Sequence, residues 1–266
     1  MNQKLLATVI VGAVLASACP STATAQDGMV KAKDGSGVFG HKDTPVLPWC
    51  GFHVHDPDRP LPKRVEVGPP PTVTPPSDAV VLFDGKNLDR WEPSGWKLVD
   101  GCVEAGDGNF TSKPRFGNCQ VHVEYMGPTT SDGTWYNQGN NGVFLWGLYE
   151  IQIFDSLNTK IYPDGMAGAI YGQTPPLVNV CRAPGQWQSF DIVFKAPVVF
   201  QGEKMVQTPR VTVFQNGVLV QCDEEIHGGT EHGALPSKTP RLTEGPLVLS
   251  GHHCPVRFRN IWVRPL

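Results

Sequence analysis

The chain has 266 residues, with 22 basic against 25 acidic side chains, and its net charge of −3 excludes a nucleic-acid binder that relies on a basic face. Forty per cent of residues are hydrophobic and 9% aromatic, enough for a core, so disorder of the whole chain is excluded too. Gly (29) and Pro (25) are abundant and only 18% of residues are charged, which disfavours a helical fold and suits short strands joined by turns.

Residues 1–25 read as an export leader: Lys4 supplies the positive region, Leu5 to Ala18 the apolar run, and Ala23-Thr24-Ala25 a small-residue cleavage site. Cys19, preceded by Leu15-Ala16-Ser17-Ala18, supports a rival reading as a lipid anchor. Either way the expected location is periplasmic or extracellular, as a soluble or a membrane-anchored form. No later run is long enough to span a bilayer as a helix. Six further cysteines, Cys50, Cys102, Cys119, Cys181, Cys222 and Cys254, form an even set, and in an oxidising compartment they are expected to pair as disulfides.

Residues 26–78 read as an extended arm. Ten prolines lie between Pro45 and Pro76, a density that rules out helix or sheet interiors. Trp49, Phe52 and His53-Val54-His55-Asp56 give it groups with which to dock on the main domain.

Residues 79–266 alternate with the period of β-strands. Val80–Phe83, Gln120–Tyr125, Val143–Leu145, Tyr149–Phe154, Phe190–Phe194, Leu247–Leu249 and Val256–Val263 are expected strands. Arg210–Phe214 and Val218–Val220 flank Gln215-Asn216-Gly217, whose Asn-Gly pair suits a type I′ hairpin. Many short strands without intervening helices predict an all-β, antiparallel sandwich or barrel.

Alternation then sorts the polar side chains. In Tyr149–Phe154, Glu150 and Gln152 lie opposite the apolar Ile151 and Ile153, facing solvent or a cleft. A one-residue bulge would swing Asp155 beside Glu150. The spacing Glu-x-Gln-x-x-Asp then resembles the catalytic strand of laminarinase-type jelly-roll glucanases, where two carboxylates act as nucleophile and acid. His122 and Glu124 share one face of another strand. Arg257 and Arg259 share a face of the last strand, and His252 sits in the loop before it. Asn141, in the amide-rich run Asn137–Asn141, suits sugar hydroxyls. Trp135, Tyr136, Trp146 and Tyr171 could form apolar platforms for sugar rings. A divalent metal is compatible with this set, calcium on oxygen ligands or a transition metal recruiting His252 or His122, but no spacing identifies one.

Val81-Leu82-Phe83-Asp84-Gly85-Lys86-Asn87-Leu88, Asn141-Gly142-Val143-Phe144, Tyr149–Asp155, Gly168-Ala169-Ile170-Tyr171-Gly172 and Pro255–Trp262 together resemble the 3-keto-disaccharide hydrolase domain family, in that family's order. The resemblance implies a concanavalin A-like jelly-roll of two antiparallel sheets with a ligand cleft on the concave one. It implies an enzyme that cleaves sugars whose C3 hydroxyl is a ketone, by abstraction of the C2 proton and elimination from C1. Glu150, His252 and Asp155 become the catalytic candidates, and Gln152, Asn141, Tyr171, Arg257, Glu124 and Trp146 the substrate-binding ones. The family's usual Asp-His-Gly is here Gly251-His252-His253, followed by Cys254, which is expected to brace the loop through a disulfide. A non-catalytic carbohydrate-binding module on the same jelly-roll is the alternative, and an ordinary two-carboxylate glycosidase using Glu150 and Asp155 a third reading.

Overall fold

The computed structural model describes residues 28–130, 134–201 and 204–266, so the leader and Cys19 lie outside the described residues. The arm contributes three short strands, β1 (Met29–Lys31), β2 (Phe39–His41) and β3 (Lys63–Arg64). The rest of the chain supplies β4 (Val80–Phe83), β5 (Lys97–Val99), β6 (Cys102–Glu104), β7 (Gly108–Phe116), β8 (Cys119–Met126), β9 (Asn141–Leu145) and β10 (Tyr149–Ile153). After a 3₁₀ turn at Pro163–Gly165 come β11 (Val178–Asn179), β12 (Gln188–Lys195), β13 (Val198–Gln201), β14 (Lys204–Gln207), β15 (Arg210–Gln215), β16 (Val218–Glu225), β17 (Gly245–Gly251) and β18 (Arg257–Pro265).

Two antiparallel sheets form the concanavalin A-like jelly-roll. The larger has the order β16-β15-β12-β8-β18-β6-β5, with β4 also on β18; the smaller has the order β10-β9-β17-β7. Period-two alternation fills the space between them. The larger sheet turns in Val121, Val123 and Tyr125 from β8, Phe190, Ile192 and Phe194 from β12, and Phe258 from β18. The smaller sheet answers with Ile151, Val143, Leu249 and Phe110, which lie in register across its four strands. The β15–β16 hairpin turns at Asn216 and Gly217, both at positive φ as an Asn-Gly turn requires. β7 had no alternation to mark it. It carries Pro114 and sits at the edge of the smaller sheet, where a missing backbone donor is tolerated.

The arm wraps the sandwich instead of trailing from it. Phe39 pairs with Ile161 and His41 donates its backbone N–H to His55 O. β3 then runs parallel to β11. Farther on, Pro71 packs on Gly217, Val73 O accepts from Asn260 Nδ2 at 2.8 Å, and Asp78 pairs with Arg264 at 2.8 Å. Proline-rich chain suits this path because its carbonyls can bond to side chains while its missing N–H groups leave nothing unsatisfied.

The cysteine pairing expected from their even count is not present: all six cysteines among the described residues are thiols. They are spread over separate surroundings. Cys119 is in the main core, Cys181 donates to Phe154 O at 3.4 Å, Cys222 is exposed on β16, and the Cys254 thiol donates to Asn137 Oδ1 at 3.2 Å. That last bond braces the loop after His252 in place of a disulfide. Among the described residues no helix is long and apolar enough to cross a membrane.

Candidate functional site

The outward face of the smaller sheet forms the floor of a cleft of about 540 Å³. Register explains its chemistry. Gln152, Gly142, Ser250 and Asn109 lie side by side across β10, β9, β17 and β7, one residue out of phase with the apolar row that enters the core. Glu150 and Phe144 make the next row. The walls are Trp135, Tyr136, Phe154, Ile161, Tyr162 and Tyr171, and Thr230, His232 and His252 come from two loops.

Glu150 is the central group. It is 8% exposed, and among the described residues no cation or donor approaches its carboxyl, so burial pushes its pKa up to about 8. Its backbone is held on both sides: its N–H donates to Thr230 Oγ1 at 3.0 Å and its carbonyl accepts from Tyr171 N at 3.1 Å. Tyr171 begins a short relay. Its hydroxyl lies 3.0 Å from that of Tyr162 and 2.8 Å from Nδ1 of His232. Partial withdrawal from water, and the neighbouring His55, His41 and His252, lower the pKa of His232, favouring the neutral ring. Burial raises the pKa of both tyrosines.

Of the residues singled out from sequence, Glu150, Gln152, Tyr171, His252, Trp135 and Tyr136 meet in this cleft. The others lie elsewhere. β10 runs to Ile153 in unbroken register, so the bulge expected beside Glu150 is absent. Asp155 follows the strand and caps the next turn, accepting from Leu157 N, Asn158 N and Asn158 Nδ2 at 2.9–3.2 Å. That removes the two-carboxylate arrangement. Asn141 is 1% exposed and shares its register with Ile153, on the core side, while its neighbour Asn140 lines the cleft. Trp146 is a core residue whose indole donates to Phe116 O at 2.6 Å. Arg257 pairs with Glu104 at 2.9 Å, and Glu124 with Arg259 at 2.7 Å, both on the larger sheet.

Tyr162, Thr230 and His232 were missed. The signal for His232 was its setting, Gly228-Gly229-Thr230-Glu231-His232-Gly233, a polar glycine-rich loop after a strand hairpin. Among the described residues no three His, Cys, Asp or Glu side chains converge as metal ligands.

The loop of His252 explains its own sequence. A Cβ at Gly251 would stand 1.8 Å from Gly106 O, so no aspartate fits there. His253 occupies a left-handed conformation, φ 55°, that glycine adopts freely. Its ring pairs with Asp107 at 2.9 Å, so the nearby carboxylate serves His253.

Two packed antiparallel sheets with a polar, aromatic-walled cleft on the outer face of one define a jelly-roll protein with a ligand cleft on its smaller sheet. Comparison with known proteins narrows the class. The chain belongs to the 3-keto-alpha-glucoside-1,2-lyase-like domain family, whose profile matches residues 78–264. It is similar to a putative glycosyl hydrolase of Parabacteroides distasonis, with 39% identity over 71% of this chain and 84% of that one, at a TM-score of 0.68. A second putative glycosyl hydrolase from that organism shares the fold, with 18% identity, 71% and 94% coverage and a TM-score of 0.53. No curated protein matches the sequence significantly.

Proposed function

We propose that the protein cleaves 3-keto glycosides by elimination in this cleft. The observation that carries the reading is Glu150, an unpaired carboxyl on the cleft floor whose pKa of about 8 keeps it largely protonated at neutral pH. A 3-keto group acidifies the proton on C2, so cleavage needs one base and one acid, with no second carboxylate.

In this reading His252, which lines the cleft, takes the C2 proton as the general base. The C2–H electron pair forms the enolate, whose negative charge collects on the C3 oxygen. The neutral His232, held by Tyr171, donates a hydrogen bond there. The enolate then collapses, forming the C1–C2 double bond, restoring the ketone and expelling the C1 oxygen, which takes the proton of Glu150. Water adds at C1 and gives a proton to Glu150, while His252 returns its proton to C2. The net reaction is hydrolysis, with both groups restored. Gln152, Ser250 and Asn140 supply donors and acceptors for ring hydroxyls, and Trp135 and Tyr136 supply apolar faces.

The test is mass-spectrometric product analysis with a 3-keto glucoside and its unoxidised parent, with and without EDTA. Cleavage of the keto sugar alone is expected; cleavage of the parent overturns the reading. Among the described residues the His252 ring has no hydrogen-bonded carboxylate to orient it, which favours a second reading, a sugar-binding module. That reading predicts saturable binding of the keto sugar without turnover.

A further inference from the structure

Behind the Tyr162–Tyr171–His232 wall lies a buried charged cluster that the reaction above does not use. It joins the arm to the jelly-roll: His55 and Arg59 come from the arm, and Asp164 from the 3₁₀ turn. Burial raises the Asp164 pKa, but His55 and Arg59 outweigh that and hold it below its ordinary value, so the carboxylate is ionised. Its Oδ2 accepts from the His55 backbone N–H at 3.0 Å and from Arg59 Nη1 at 3.3 Å, and its Oδ1 faces His55 Nδ1 at 3.6 Å. Arg59 Nη2 also donates to Gln173 O at 3.0 Å.

The orientation of His55 follows from its other nitrogen. Gly233 N–H, which can only donate, points at His55 Nε2 at 3.2 Å, so Nε2 carries a lone pair and the ring proton is on Nδ1, toward Asp164. The ring stacks on Tyr162 with centroids 4.2 Å apart, and lies 4.9 Å from Tyr171 and 5.1 Å from His232. It therefore touches Tyr162 by stacking and the His232 loop by a hydrogen bond, from beneath. His55 holds this place at φ 61°, an unfavourable conformation for a histidine and one that surrounding structure must enforce.

We propose that His55 is a positioning residue for the cleft. Fixed by the hydrogen bond from its backbone N–H to Asp164, it holds the 232–233 backbone and the Tyr162 ring so that Tyr171 donates to His232 Nδ1 and His232 presents Nε2–H to the substrate. The family's profile begins at residue 78, so the arm adds this part from outside the family domain. The inference rests on the cleft being the reaction site, as proposed above.

The test compares His55→Phe, which keeps a ring on Tyr162 but cannot accept from Gly233, with His55→Gln, which keeps an acceptor. His55→Leu serves the same purpose if His55→Phe does not fold. The first readout is the pair of imidazole ¹⁵N shifts of His232, which reports its tautomer and needs no turnover. The second is kcat and KM on a 3-keto glucoside. Wild type and His55→Gln are expected to show one His232 tautomer, protonated at Nε2. His55→Phe is expected to show both tautomers, with kcat down about 10–100-fold and KM changed less than about threefold. Combining His55→Phe with His232→Ala should be no slower than the slower single variant. A single unchanged tautomer in His55→Phe with kcat within about twofold of wild type overturns the proposal, as do losses that multiply in the double variant. If the wild type cleaves no keto glucoside, the reaction assigned to the cleft fails, and the tautomer comparison alone decides the role of His55.

Discussion

The carboxyl of Glu150 lies over the bare backbone of Gly142, so close that a Cβ at residue 142 would stand 2.2 Å from Oε1. Gly142 stands opposite Gln152, two residues along from Glu150 on the same face of the adjacent strand, and the missing side chain is what lets the carboxyl lie down on the sheet, away from water. Gly142→Ala must push it into the cleft. We expect kcat on a 3-keto glucoside to fall about 10–100-fold, because general acid catalysis depends on a fixed proton donor. The thermal midpoint should move by no more than a few degrees or so, since residue 142 faces the cleft and not the core. Steady-state kinetics beside a melting curve checks this, and unchanged kcat would mean that the buried pose of Glu150 is not used.

Burial of Glu150 also sets a pH dependence. Its native pKa, about 8, lies above the ordinary 4.5. Between those values the native state binds a proton that the unfolded chain has released, so this group makes stability fall as pH rises from 4.5 through about 8. Glu150→Gln removes the effect. The variant should match wild type near pH ~4 and exceed it at pH ~9 by a few kcal/mol, each unit of pKa separation being worth about 1.4 kcal/mol. Urea titrations at the two pH values measure it. Wild-type turnover should decline above pH ~8 as the acid ionises, and the variant should lose turnover.

Alternation made the strand of Glu150 legible from sequence. Ile151 and Ile153 had to enter the core, which forced Glu150 and Gln152 onto the other face. The same rule placed His122 and Glu124 on an outer face, but which sheet carries the cleft depends on strand order, and pairs such as β17 with β7 join residues over a hundred positions apart. Trp146 and Asn141 failed for a related reason. An aromatic ring or an amide near a loop has the same composition whether it turns outward or inward, and here Trp146 finds Phe116 O inside. The reading of Asp155 needed a bulge. The chain instead ends the strand and uses the short carboxylate for what Asp does most readily, capping a turn. Tyr162 and His232 escaped because they are brought to Glu150 by loops without periodicity.

The loop Gly251-His252-His253-Cys254 gives opposite outcomes at neighbouring sites. His253→Gly relieves a left-handed residue and should stabilise the fold by about 1 kcal/mol, offset in part by the greater freedom of glycine in the unfolded chain. Gly251→Asp, although it restores the family's usual residue, would drive a side chain into Gly106 O and should lower the melting temperature sharply. Calorimetry of both variants checks the pair; a tolerated Gly251→Asp would contradict the close approach of the two backbones.

The cysteines should behave as thiols of unequal reach. Burial pushes Cys119 up to about 12 and Cys181 to about 11, which leaves both unreactive in the native protein. Cys222 is exposed. Brief alkylation of the folded protein followed by peptide mass spectrometry should label Cys222 and spare Cys119 and Cys181, and all three should be labelled after unfolding. A melting temperature that falls on adding reductant would reveal a disulfide and contradict this arrangement.

The larger sheet carries its own polar cluster, and its position predicts a clean separation of stability from activity. Burial raises the Glu124 pKa, but the His122 ring 3.6 Å away and hydrogen bonds from Asn260 and Arg259 outweigh that and bring it down to about 2. Asp191 faces the other nitrogen of His122 at 2.7 Å, and Asn260 also holds the arm through Val73 O. A carboxylate with a depressed native pKa contributes stability above its ordinary 4.5 that is lost as pH falls toward about 2. Glu124→Gln should therefore destabilise the protein by roughly 2–3 kcal/mol at neutral pH and by progressively less below pH ~4. The cleft lies on the other sheet, so kcat and KM of the folded variant should stay within about twofold of wild type. A large loss of kcat with an intact fold would instead place the reaction on this face, against the reading built on Glu150.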